Sequence, residues 1–121
     1  ADWYTHYLAA IEEVTPPQVV ESTTRTSWFV YVITLDQSID RDRFALLLEE
    51  KGVPVRPYFS PIHLQPYMQE MFGFQPGDYP VTEDLGNRSL ALPFSGMMSE
   101  EEVKSVCDQI GDALIASKSQ A

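Results

Sequence analysis

Ser27-Trp-Phe-Val-Tyr-Val-Ile-Thr-Leu35 is the stretch on which the fold turns. Its β-branched and aromatic residues predict a strand. Trp28, Val30 and Val32 fall on one face, and Phe29, Tyr31, Ile33 and Leu35 on the other. A strand with one wet face alternates apolar and polar residues, whereas this one is apolar on both. Helices of the same chain can cover one face; the other points to a partner.

C-terminal to it, residues 40–51 read as a helix with Asp40 as N-cap, Phe44, Leu47 and Leu48 facing inward, and Gly52 as the stop. Val53-Pro-Val-Arg-Pro-Tyr-Phe59 is extended, and its two prolines confine it to a sheet edge or rim. Residues 64–72 suit a short helix, Gln75-Pro-Gly-Asp78 a turn, and Thr82 the cap of a helix running through Arg88. Leu90-Ala-Leu-Pro93 follows as a brief strand. Ser99 and Glu102 form a capping box that opens the last helix. Val103, Val106, Cys107, Ile110 and Leu114 then recur on one side of it, which reads Cys107 as core.

N-terminal to the strand, residues 18–26 read as loop or edge. Asp2 to Val14 suits a helix with Trp3, Tyr7, Leu8 and Ile11 toward one face, ended by Pro16 and Pro17. A helix so close to the first residue fits a cut through a longer element as well as a protein that begins on a helix. The alternation of helices and strands predicts an α/β sandwich with helices on at least one face.

Composition narrows the class. A chain of 121 residues holds one domain and one core. Eight basic against 18 acidic side chains give a net charge of −10, a field that repels phosphate backbones and argues against nucleic-acid binding. The apolar run 28–35 is far short of the roughly 20 residues a membrane helix needs. With Cys107 as the single cysteine there is neither an internal disulfide nor a cysteine metal cluster, which is compatible with a reducing, cytoplasmic setting.

The chemical inventory is thin: no glycine-rich phosphate loop, nucleophile elbow or paired-histidine metal spacing. His6 reads as a surface residue of the first helix. His63 stands among Tyr58, Phe59 and Tyr67, between Pro61 and Pro66. Prolines hold such a loop in few conformations, and an imidazole can donate and accept at neutral pH, as a sugar hydroxyl or phosphate requires. A histidine that staples a turn to its own backbone would show the same pattern. Lys51, Lys104 and Lys118 all read as solvated.

Gly52-Val-Pro-Val-Arg-Pro-Tyr-Phe-Ser-Pro-Ile-His-Leu-Gln-Pro-Tyr-Met68 closely resembles the DegT/StrS family of sugar-nucleotide aminotransferases. The resemblance continues through residues 72–83, Arg88-Ser-Leu-Ala-Leu-Pro-Phe94 and Ser99-Glu-Glu-Glu-Val103, and upstream through the strand at 27–32 and Tyr7-Leu8. It implies the C-terminal small domain of a fold type I enzyme, with a small, mostly antiparallel sheet and helices packed on it. Residues 1–16 would then be the end of an interdomain helix and 26–116 the sheet-and-helix core.

The resemblance also implies a large domain, N-terminal to this piece, that holds pyridoxal 5'-phosphate and the Schiff-base lysine. The family reaction moves an amino group, typically from glutamate, to a nucleotide-linked keto sugar, and the working unit is a homodimer. His63 matches the family histidine on the sugar-nucleotide side of the cleft, expected at a rim with its ring partly exposed, and Arg56 and Tyr58 match flanking positions. No catalytic, cofactor-binding or metal-ligating residue is assigned. The isolated piece is expected to be inactive; a free-standing binding or regulatory module with the same fold is the alternative.

Overall fold

A computed structural model describes residues 1–119. The chain runs α1 (Asp2–Leu8), β1 (Val14–Thr15), β2 (Val32–Leu35), α2 (Arg41–Glu50), β3 (Arg56–Pro57), a 3₁₀ turn (Ile62–Leu64), α3 (Pro66–Phe72), α4 (Pro80–Arg88), β4 (Ser89–Ala91) and α5 (Glu100–Ser119). The four strands form one antiparallel sheet in the order β1-β2-β4-β3, with Ile33 opposite Leu90 and Arg56 opposite Ala91. The α/β class and the antiparallel sheet agree with the sequence.

Successive residues of a strand point to opposite faces. Tyr31, Ile33 and Leu35 are completely buried on one face, together with Leu90. The core that covers them comes from Tyr4 and Leu8 of α1, Phe44 and Leu48 of α2, and Val103, Ile110 and Leu114 of α5. α1 and α2 both pack on α5. Val30, Val32, Thr34 and Ala91 lie on the opposite face and are half-buried.

Several elements differ from the sequence reading. The strand is regular only over Val32–Leu35, because Trp28 adopts a left-handed φ of 51° and takes the chain out of the ladder, leaving Phe29 exposed. The first helix ends at Leu8, not Val14: the chain turns so that Val14 and Thr15 pair with β2. Its inward residues are Tyr4 and Leu8, whereas Trp3 is largely exposed. Residues 1–16 are therefore part of the core as well as a helix end. Tyr4 shows why: its ring stacks on Tyr31 at 4.9 Å and its hydroxyl donates to the Pro93 carbonyl.

Both capped helices are as read. Asp40 accepts from the Arg43 N–H, and Glu102 and Ser99 exchange bonds across the start of α5. Thr82 is not a cap. α4 begins two residues earlier with Pro80 in its first turn, where the missing N–H costs nothing.

Candidate functional site

The segment between β3 and β4 is built by punctuation. Pro61 and Pro66 hold the backbone around the 3₁₀ turn and start α3, which ends where Gly73 turns left-handed at φ 70° and donates to the Gln69 carbonyl. A second turn, with Gly77 at φ 98°, leads into Pro80 and α4. Inside this turn the Glu83 carboxylate reaches back to accept from the Gly77 N–H at 2.8 and 3.1 Å and the Tyr79 N–H at 3.1 Å. These donors, Gly77 first, hold its pKa below the usual carboxylate range against the opposing effect of burial.

His63 sits against this carboxylate. Its Nε2 is 3.3 Å from Glu83 Oε2, within ion-pair range but without the alignment of a hydrogen bond. The ring meets Tyr79 edge-on at 4.8 Å and Phe74 at 6.4 Å. At 6% exposure it is buried, where the sequence led us to expect a partly exposed ring at a rim. The reason is tertiary: α4 and the 74–79 turn fold back over it.

Tyr58 is half-buried and stacks on Phe59, with ring centroids 4.6 Å apart. Together with Pro61, Ile62, Thr82 and Leu85 these rings line a hollow of about 230 Å³ between the 58–62 loop and α4. Gly86 permits that approach, since a Cβ there would lie 3.1 Å from both the Phe59 carbonyl oxygen and Pro61 Cδ. Arg56 stands apart. It is exposed on the edge strand and lines a separate groove of about 260 Å³ with Pro54, Ala91, Leu92 and Pro93. Tyr58 and His63 thus share one substructure, and Arg56 belongs to the sheet.

Two arginines lock this substructure to the core. Arg41 Nη1 donates to the Gly86 and Ser89 carbonyls at 2.6 and 3.2 Å, and Arg88 holds Asp84 and donates to the Leu35 carbonyl at 2.8 Å. Glu83 is the site residue that sequence reasoning missed. Its signal was a proline three residues before it, which places a glutamate in the first turn of a helix beside free N–H groups.

The residues present do not fit pyridoxal phosphate. A Schiff-base lysine needs its amine unprotonated through burial or a neighbouring cation, yet Lys51, Lys104 and Lys118 are all exposed and Lys118 pairs with Glu13. Burial pushes the Cys107 thiol up to about 11, so it is not a nucleophile at neutral pH. No group of three or more metal-ligating side chains occurs among the described residues. No helix among them is long and apolar enough to cross a membrane.

The profile of the DegT/DnrJ/EryC1/StrS aminotransferase family matches residues 1–111. Spore coat polysaccharide biosynthesis protein SpsC of Bacillus subtilis is 29% identical over 97 residues, 77% of this chain and 25% of that protein. GDP-perosamine synthase of Escherichia coli O157:H7 is 31% identical over 87 residues, 72% of this chain and 22% of that one. Among solved structures, a DegT/DnrJ/EryC1/StrS aminotransferase from Brucella abortus superposes with a TM-score of 0.73 at 28% identity, covering 90% of this chain and 28% of its own. The PLP form of the sugar aminotransferase Spr1654 from Streptococcus pneumoniae gives 0.86 at 19% identity, over 96% and 30%. The chain therefore spans a quarter to three-tenths of most of these relatives. With its sequence matched from the first helix into the last, and its fold reproduced within those enzymes, the chain belongs to the DegT/DnrJ/EryC1/StrS aminotransferase family.

Proposed function

We propose that this chain is the C-terminal small domain of a pyridoxal-phosphate sugar aminotransferase that moves an amino group from glutamate to a nucleotide-linked keto sugar. The observation that carries the reading is the family match over residues 1–111 in a chain whose three lysines are all exposed. Family chemistry without a lysine to support it assigns the cofactor to a large domain. That the relatives include a GDP-perosamine synthase favours a substrate carried on a nucleotide. The working unit is a cytoplasmic homodimer.

Within this reading Arg56 and Tyr58 contribute from the small domain to substrate binding, Arg56 through its cation and Tyr58 through its ring. His63 supports them as the buried member of the group. It holds Tyr79 and Glu83 in place, with the Nε2 edge directed at the carboxylate. Pyridoxal phosphate, when bound by the large domain, supplies the electron sink for amino transfer.

The test compares the 121-residue chain with a polypeptide that carries it behind a large domain. Each is given pyridoxal phosphate, glutamate and a nucleotide-linked keto sugar, and 2-oxoglutarate and amino sugar are measured. Activity is expected from the longer polypeptide and none above background from the chain alone. Turnover by the chain alone, abolished by replacing Lys51, Lys104 or Lys118, overturns the reading. Sugar binding without amino transfer by the longer polypeptide would favour a binding module.

A further inference from the structure

We infer that the face formed by the 58–62 loop, the end of α3 and the first turns of α4 is where the rest of the aminotransferase polypeptide docks. The inference rests on the small-domain reading above and adds to it the surface.

Large apolar side chains gather there in the open. Phe59, Ile62, Phe72, Tyr79, Val81 and Leu85 are between 44% and 78% exposed or within that span. They are contiguous. Phe59, Ile62 and Leu85 line one hollow with Thr82, which also lines a second with Tyr79 and Val81. Tyr79 meets Phe74 at 5.9 Å, and Phe74 meets Phe72 at 5.9 Å. Contiguous exposed apolar surface of this kind marks an interaction site.

Charge and chain length select the occupant. Between Pro57 and Thr82 the chain carries two carboxylates, Glu70 and Asp78, and no lysine or arginine, although its net charge is −10. A nucleic acid or a basic partner finds no charge complement on such a face. The chain spans 22–30% of its relatives, so most of a polypeptide of that length lies outside it. A covalently joined domain also meets the patch at a high effective concentration. The second face of β2, to which the sequence pointed, is already half-buried by this chain.

Cysteine labelling tests the assignment. Val81→Cys lies on the face at 72% exposure, and Ile115→Cys on α5 starts from 69%; native Cys107 is buried and reacts slowly. In the 121-residue chain both introduced thiols should react at similar rates. In the longer polypeptide Val81→Cys should react at least about tenfold more slowly, with Ile115→Cys unchanged. Equal rates at Val81→Cys in the two proteins overturn the inference, even where the longer polypeptide is an active aminotransferase. Protection of Val81→Cys in the 121-residue chain that grows with its concentration overturns it in favour of a second copy of this chain. An inactive longer polypeptide that still protects Val81→Cys leaves the surface assignment standing and defeats the proposed function instead.

Discussion

α5 and α4 are both amphipathic helices of this domain, and they are used in opposite ways. α5 turns Val103, Val106, Cys107, Ile110, Ala113 and Leu114 into the core. α4 buries no residue, and neither does α3; from Arg56 to Arg88 His63 alone is buried. Apolar contacts hold the first region. The second is held largely by directed polar ones: Arg41 on two carbonyls, Arg88 on Asp84 and Leu35, and Glu83 on two N–H groups. Polar ties fix position without consuming the apolar side chains, which stay available for a partner.

The largest effect that could break this contrast lies in the core. Phe44 is completely buried, so Phe44→Ala should destabilise the chain by about 3–5 kcal/mol in urea unfolding. A loss below 1 kcal/mol would mean that α2 is not part of the load of the core. Next comes the tie between the regions. Arg41→Met removes the donor to the Gly86 and Ser89 carbonyls and should cost about 1–3 kcal/mol. It should also raise amide exchange in α4 more than in α5; uniform exchange would show that the arginine supports the whole fold and not that junction.

A pH titration sharpens the comparison further. The folded-state pKa of Glu83 is depressed, so its contribution to stability is complete above the unfolded value, about 4.3 for a glutamate, and is lost as pH falls through the lower folded value. The Gly77 amide resonance should shift with a midpoint below that of an ordinary glutamate, and the shift should vanish in Glu83→Gln. A midpoint at the ordinary value would place the carboxylate elsewhere. The smallest effect belongs to the outward apolar residues. Phe59→Ser and Val81→Ser should each change the stability of the 121-residue chain by no more than about 0.5 kcal/mol. A loss of 2 kcal/mol at either would show that the face serves this domain's own fold.

Local rules made much of this legible. The Asp40 cap, the Ser99–Glu102 box and the α5 stripe depend on residues within a few positions of one another, and all three stand as read. The strand and first helix were legible in kind but not in extent, because their ends are set by pairing: Val14 with Leu35, and Leu92 with Tyr31 across a 2.9 Å bond. His63 was legible as a residue of interest, while its burial was not. Nothing in the 58–67 motif says that Glu83, 20 positions later, returns to within 3.3 Å of it.

The sequence alone determined what short-range chemistry can encode: the α/β class, the caps and turns, the poverty of usable lysines and the family resemblance. Tertiary structure alone decided which apolar residues remain outside. Trp28 and Phe29 are neighbours of similar character, yet Trp28 stacks on Tyr31 at 5.7 Å and Phe29 is 78% exposed. Hydrophobicity drives both inward with comparable strength, and only the competition for a limited core surface settles which of them is covered.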